Sequence, residues 1–358
     1  MKGFFRTMFL AGLVVLAVLC CGCGRESAGA WEAVDVAMGT MVRLKVYGPE
    51  EERAGEIFSQ AREILQSLEE DELSWRLETS EVYRINASAG DGKGEALSAE
   101  MAQVLQTCLE LYEKSEGAFD VTLGALVRLW KIDSWAGGAE TGEFQAPSAG
   151  SLEEALGRCG SSMVGLLPKD SWQEGTRLLL PEGMQLDLGA VGKGLALSRI
   201  LELLEEEPEV SGAVVYLGGS VLTYGSRPDG GSWKIGIADP SDPSSSVGIL
   251  TLEGQWCVST SGDYERYVER DGVRWHHILD PATGLPADSG VRSATILSRD
   301  GLLGDGLSTA CFILGPEKGL ELAGEYGAEV LFILDDGEFV MSEGMEAFFS
   351  EAGRQGSP

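Results

Sequence analysis

Apolar residues recur at two different periods along this 358-residue chain, in no repeating order, and that constrains its fold more than any single motif does. Residues 34–47 alternate apolar and polar with β-branched side chains, the pattern of a hairpin turning at Ala37-Met38-Gly39-Thr40. Residues 50–70 then place Ile57, Ala61, Ile64, Leu65 and Leu68 on one helical face. Helical spacing returns over 98–115, through Met101, Val104, Leu105, Cys108, Leu109 and Tyr112, with Ser98 as the expected N-cap. A loop-like composition over 134–151 is followed by a short helix and hairpin to Pro181. After a further helix carrying Leu197, Ile200, Leu201 and Leu204, strand-like runs appear at 210–217 and 233–237. Strands, hairpins and helices mixed without a regular βαβ succession predict an α+β fold with mixed or antiparallel sheets and flanking helices, not a doubly wound sheet. Neither flank of the 134–151 loop looks self-sufficient, so a single domain over residues 31–350 is expected, with a polar tail at 351–358.

The first thirty residues read as an address. Lys2 and Arg6 precede an apolar stretch of about a dozen residues, shorter than the ~20 a spanning helix needs. It ends in Cys20-Cys21-Gly22-Cys23-Gly24, which looks like a bacterial lipoprotein signal. Residues 1–22 are then the signal peptide, Cys23 the lipidated residue (with Cys21 as the alternative) and 23–30 a spacer. The expected location is a bacterial membrane, by lipid anchor, facing the periplasm or cell exterior. The remaining cysteines, Cys108, Cys159, Cys257 and Cys311, show no metal spacing and are expected as buried free thiols, with a disulfide as the alternative. A net charge of −30 argues against nucleic acid as a partner, and would repel any phosphorylated ligand unless a cation or local donors intervened.

Three stretches could carry chemistry. The chain's two histidines, His276 and His277, are adjacent. Neighbours on a strand point to opposite faces, so at most one of them faces a given site, close to a strand end at Pro281. Residues 187–194, Asp-Leu-Gly-Ala-Val-Gly-Lys-Gly, read as a strand, a glycine turn and a helix start, where free N–H groups and Lys193 favour phosphate. A plain helix-entry turn reads equally well there, since neither a Walker A loop nor GxGxxG is matched. Finally, Asp305 and Thr309 stand at i and i+4 of a helix and offer hard oxygens suited to Mg²⁺. Taken alone, Asp305 reads first as the N-cap of that helix.

In order, the segments Ala37-Met38-Gly39-Thr40, Gly117-Ala118-Phe119-Asp120, 187–194, Thr260-Ser261-Gly262-Asp263-Tyr264, 277–284 and 305–310 closely resemble the ApbE family of FAD:protein FMN transferases. The resemblance runs over almost the whole mature chain and implies a T-fold-related α+β domain with FAD in a cleft and Mg²⁺ at its pyrophosphate. The implied metal ligands are the Ala190 carbonyl, Asp305 and Thr309. Implied flavin-site positions are Met38, Arg76, Ala118, Phe119, Asp120, Asp187, Lys193 and Ile278. His277 falls on the family histidine and is the implied base, whereas His276 falls on a variable position. Ser220 departs from the aspartate often found after the two glycines. The implied reaction transfers FMN from FAD to a threonine hydroxyl of another protein and releases AMP. The expected acceptors are membrane electron-transport subunits or extracellular flavoproteins. A Mg²⁺-dependent FAD pyrophosphatase and a non-enzymatic FAD-binding lipoprotein are the alternatives. Residues 305–311 also resemble the family's acceptor motif, and read as a metal site in preference to a self-modification site.

Overall fold

A computed structural model describes residues 29–135, 144–168 and 172–352; the leader with Cys23, part of the expected loop and most of the tail lie outside these residues. In chain order the elements are β1 (Ala30–Ala37), β2 (Thr40–Tyr47), α1 (Glu51–Ser67), α2 (Glu81–Ala87), β3 (Glu95–Ala96), α3 (Ala99–Lys114), α4 (Gly124–Trp130), α5 (Ala149–Leu156), β4 (Gly165–Leu167), β5 (Arg177–Leu179), α6 (Gly192–Glu205), β6 (Gly212–Leu217) and β7 (Ser220–Gly225). They continue as β8 (Trp233–Asp239), β9 (Asp242–Leu252), β10 (Trp256–Gly262), β11 (Tyr267–Arg270), β12 (Val273–His276), β13 (Val291–Ser298), α7 (Gly301–Leu314), α8 (Pro316–Glu325), β14 (Glu329–Leu334), β15 (Phe339–Met341) and β16 (Phe349–Glu351).

Eight strands form one sheet in the order β1-β2-β6-β7-β10-β13-β14-β15, every neighbouring pair antiparallel. The β1–β2 hairpin turns on Met38 (φ 51°) and Gly39 (φ 70°), the two positive φ values that a tight two-residue turn between right-twisted strands requires. Period-two alternation sends alternate side chains to two different cores. Ala213, Val215, Leu217, Val330 and Phe332 pack against α1, α3, α6, α7 and α8. Val214, Leu331 and Ile333 pack on the other face, against Trp233, Ile235, Leu250 and Leu252 of the three-stranded β16-β9-β8 sheet. A third cluster, Leu126, Trp130, Val268 and Leu279, ties α4 to the β11–β12 hairpin, with Trp130 and Trp275 5.6 Å apart.

The arrangement is α+β, as the chain's patterning implies. Ser98 caps α3, its hydroxyl accepting from the Met101 N–H at 3.1 Å. The buried stripe of α3 differs in detail: Ala102 and Leu111 are buried where Leu109 is only half-buried, because Leu111 reaches Gly306 of α7. α1 runs on into a π-helical segment at Leu68–Leu73 that its apolar spacing does not signal. The strands also exceed the expected domain limits slightly, β1 starting at Ala30 and β16 reaching Glu351. All four cysteines outside the leader are free, three of them buried, and burial pushes each thiol up to about 12. No helix among the described residues is long and apolar enough to cross a membrane.

Candidate active site

A close approach of two helix backbones creates the floor of the site. A Cβ at Gly194 of α6 would lie 2.0 Å from the Gly301 carbonyl oxygen of α7, and one at Gly301 would lie 2.4 Å from the Gly194 carbonyl oxygen. Only glycine fits at either place, so the second glycine of Gly192-Lys193-Gly194 is there for helix crossing. The contact carries Asp305 to the first turn of α6, where its Oδ2 accepts the Gly194 N–H at 2.9 Å. Oδ1 accepts from the Ser220 hydroxyl at 3.3 Å and lies 4.0 Å from Lys193 Nζ. The expectation that Asp305 caps its own helix fails: α7 begins at Gly301, capped by Asp300, which accepts the Leu303 N–H at 3.0 Å. Asp305 sits in the second turn and caps the neighbouring helix instead.

Above this floor opens a cleft of about 480 Å³. Thr309, one turn beyond Asp305, has its hydroxyl 3.2 Å from that of Ser261 on β10. Ser261 also lies 2.8 Å from the Ser308 hydroxyl, and Ser308 donates to the Asp305 carbonyl at 2.8 Å. Ala190 lines the same cleft. Among the described residues no three His, Cys, Asp or Glu side chains cluster as a metal site. One carboxylate, a hydroxyl and a carbonyl form a sparse, all-oxygen set, and that suits Mg²⁺, which keeps several waters and takes the rest of its shell from substrate phosphate.

The two histidines separate as strand geometry requires. His276, the last residue of β12, is buried; its Nε2 bonds the Ala287 carbonyl at 3.0 Å and its ring meets Phe312 edge-on at 5.5 Å. His277 turns into the cleft, with Nδ1 3.2 Å from the Arg266 carbonyl. A carbonyl only accepts, so Nδ1 carries the proton and Nε2 is left as a free acceptor. Burial first, then the charges of Arg266 and Lys193, pull the His277 imidazole down to about 3. It is therefore neutral throughout the physiological range.

Met38, Arg76, Ala118, Phe119, Asp120, Asp187, Lys193 and Ile278 all line the same cleft, so the structure gathers every sequence-nominated site residue except Cys23, which lies outside the described residues. Phe119 and Ile278 form apolar wall. Asp120 is fully engaged in holding its loop: Oδ1 accepts from the N–H and hydroxyl of Thr122 and from the Ser161 hydroxyl, each at 2.7 Å, and Oδ2 from the Ser161 N–H at 3.2 Å. Burial raises the Asp187 carboxyl above its ordinary value, against the 2.9 Å bond it accepts from Gly189 N–H. The structure adds residues that sequence reasoning did not nominate. The guanidiniums of Arg76 and Arg128 lie 4.1 and 4.4 Å from the centre of the Trp75 ring, and Arg76 pairs with Asp133. Glu265, Arg266 and Ser261 line the same cleft. Of these, only Ser261 belongs to a motif the sequence displays; the others meet through the fold.

The profile of the ApbE family matches residues 38–332. The chain belongs to the ApbE family. It is 35% identical to the FAD:protein FMN transferase of Treponema pallidum (strain Nichols) over 348 residues, 93% of each chain. The FAD:protein FMN transferase of Escherichia coli (strain K12) is 31% identical over 84% of this chain and 83% of its own. Among solved structures, the ApbE protein of Thermotoga maritima superposes with a TM-score of 0.78 at 32% identity, covering 90% of this chain and all of that one. The flavin transferase ApbE from Vibrio cholerae gives 0.75 at 27% identity, over 90% and 99%. The cleft of this ApbE-family chain therefore joins a helix N-terminus, a buried carboxylate, a lysine and a neutral histidine.

Proposed function

We propose that this protein transfers FMN from FAD to a threonine hydroxyl of acceptor proteins, with Mg²⁺ at the FAD pyrophosphate and AMP as the leaving product. The observation that carries the reading is the convergence, in one cleft, of the α6 N-terminus, Lys193 and Asp305 with the free Nε2 of His277. The names borne by the relatives point the same way.

In this chemistry the threonine Oγ attacks the FMN phosphorus, a new P–O bond forms, and the bond to the bridging oxygen breaks with its electron pair leaving on AMP. A hydroxyl is a poor nucleophile without a base, and the unprotonated Nε2 of His277, a residue that lines the cleft, takes its proton. Lys193 and the first N–H groups of α6 face the pyrophosphate and stabilise charge as it shifts toward AMP. Asp305, Thr309 and the Ala190 carbonyl would hold a divalent cation, which supplies Lewis-acid neutralisation of the pyrophosphate. Phe119, Ile278 and Met38 give the isoalloxazine an apolar wall, while Arg76, stacked on Trp75 with Arg128, adds donors at the cleft edge. The leader's charged start, short apolar core and Cys23 support lipid anchoring outside the cytoplasmic membrane, so the acceptors present their threonines there.

The test mixes the protein, FAD, MgCl₂ and a synthetic peptide bearing the acceptor motif. FMN on the peptide threonine with equimolar AMP supports the reading. FMN and AMP released with no adduct identify a pyrophosphatase, and FAD bound without AMP release identifies a binding protein; either result overturns the transferase reading.

A further inference from the structure

Asp305 is almost sealed from solvent, at 3% exposure, and among the described residues the one cation within ion-pair range is Lys193, 4.0 Å from its Oδ1. Its hydrogen-bond partners, the Gly194 N–H and the Ser220 hydroxyl, are neutral, and the second carboxylate that feels its charge, Glu265, is itself attracted by Lys193. A free divalent cation therefore meets an ammonium already beside its closest anionic ligand. Lys193 also has somewhere else to go. Its side chain is 31% exposed, and its charge also acts on Glu265, which lines the same cleft. A four-carbon stem with a mobile ammonium can change partners without unpacking the helix that carries it.

We infer that Lys193 is a built-in occupant of the cation position: in the FAD-free protein its ammonium balances Asp305, and a divalent cation takes the place only when the FAD pyrophosphate draws Lys193 away. This rests on the FAD-using reading of the cleft. Its consequence is reciprocal: FAD tightens cation binding, and the cation tightens FAD binding by the same factor. Like charges of +2 and +1 a few ångströms apart repel enough, even at the dielectric of water, to weaken binding by about tenfold or more.

The test uses the full chain freed of flavin, with Mn²⁺ as probe; the resonance of unbound Mn²⁺ gives its affinity without and with FAD. In the wild type, FAD tightens Mn²⁺ binding by about tenfold or more. Lys193→Met has opposite effects on the two ligands: Mn²⁺ binds about tenfold tighter in the absence of FAD, FAD alone binds more weakly, and the coupling between them shrinks. Lys193→Arg keeps the positive charge and stays near the wild type for Mn²⁺ alone. A lysine with a merely structural role would weaken both ligands when removed. Mn²⁺ affinity that is unchanged or weaker in Lys193→Met without FAD overturns the inference, and so does Mn²⁺ binding that survives Asp305→Asn. None of these measurements needs an acceptor or turnover. Failure of peptide flavinylation with intact Mn²⁺–FAD coupling counts against the transferase reading alone, and the reverse pattern counts against the lysine alone.

Discussion

Replacing His277 by glutamine keeps a side chain able to donate to the Arg266 carbonyl but removes the basic nitrogen that faces the cleft. Loss of a general base commonly costs about 10²–10⁴ in rate, or about 2.7–5.5 kcal/mol of barrier at ~1.36 kcal/mol per tenfold. FAD binding, which draws on Lys193, α6 and the apolar wall, should survive. The pH profile is the sharper reading. With the free protein's imidazole pulled down to about 3, His277 contributes no acid limb to kcat/KM above pH ~4, since that parameter reports the free enzyme. In the complex, the anionic pyrophosphate opposes the charges of Arg266 and Lys193, so the His277 limb in kcat lies at higher pH than in kcat/KM. The assay is the initial rate of FMN attachment to an acceptor peptide, read by mass spectrometry between pH 4 and 9, with flavin fluorescence as the binding control. Asp187 and Glu265, both raised by burial, titrate in wild type and variant alike, so the ratio of the two profiles isolates His277. An unchanged transfer rate refutes the base. A kcat/KM limb near pH 6.5 that vanishes in the variant refutes the argument from burial and neighbouring cations.

Gly194→Ala puts a methyl group 2.0 Å from a backbone oxygen that cannot swing aside, so α6 and α7 must part; denaturant titration should show a loss of roughly 3 kcal/mol or more. Ser220→Asp sets a second carboxylate beside Asp305 Oδ1, where the serine hydroxyl now lies at 3.3 Å. The melting temperature should fall without divalent cation and recover with MgCl₂ by more than the wild type gains; an equal response to MgCl₂ would place Ser220 away from the cation position. Because the folded pKa of His277 lies below its unfolded value, the unfolded chain binds more protons between about pH 3 and 6.5. The stability tied to this group is present above that window and lost as pH falls through it. The melting-temperature difference between His277→Gln and the wild type should therefore move in the variant's favour from pH 8 to pH 4.5, and a constant difference would contradict the depressed pKa.

Local chemistry was legible in the sequence, and long-range proximity was legible only through resemblance. The β1–β2 hairpin shows in its alternation and in Met38-Gly39, and Ser98 announces α3, because turns and caps are settled by neighbours in the chain. Asp305 shows why local reading runs out. Its cap-like position is explained away by Asp300 five residues earlier, and its real partners, Gly194 and Ser220, lie about a hundred residues upstream. Trp75, Arg128, Asp133 and Glu265 carry no spacing signal, since their places depend on segments that only the fold brings together. The second core was hidden for a related reason. Strands such as β14 are apolar at consecutive positions, and that pattern alone does not reveal that a separate three-stranded layer covers the far face.

The touching backbones of Gly194 and Gly301 also determine which parts of the cleft can move. With no side chain between the helices to yield, the spacing between the first amides of α6 and the Asp305 carboxylate is set by the fold and leaves little room for adjustment. The cleft thus has one fixed jaw and one adaptable jaw, and accommodation of an incoming molecule falls to the adaptable side, where Arg76 and Arg266 are exposed. Variation among substrates should accordingly be read in that rim, while the floor serves as the reference against which every ligand is positioned.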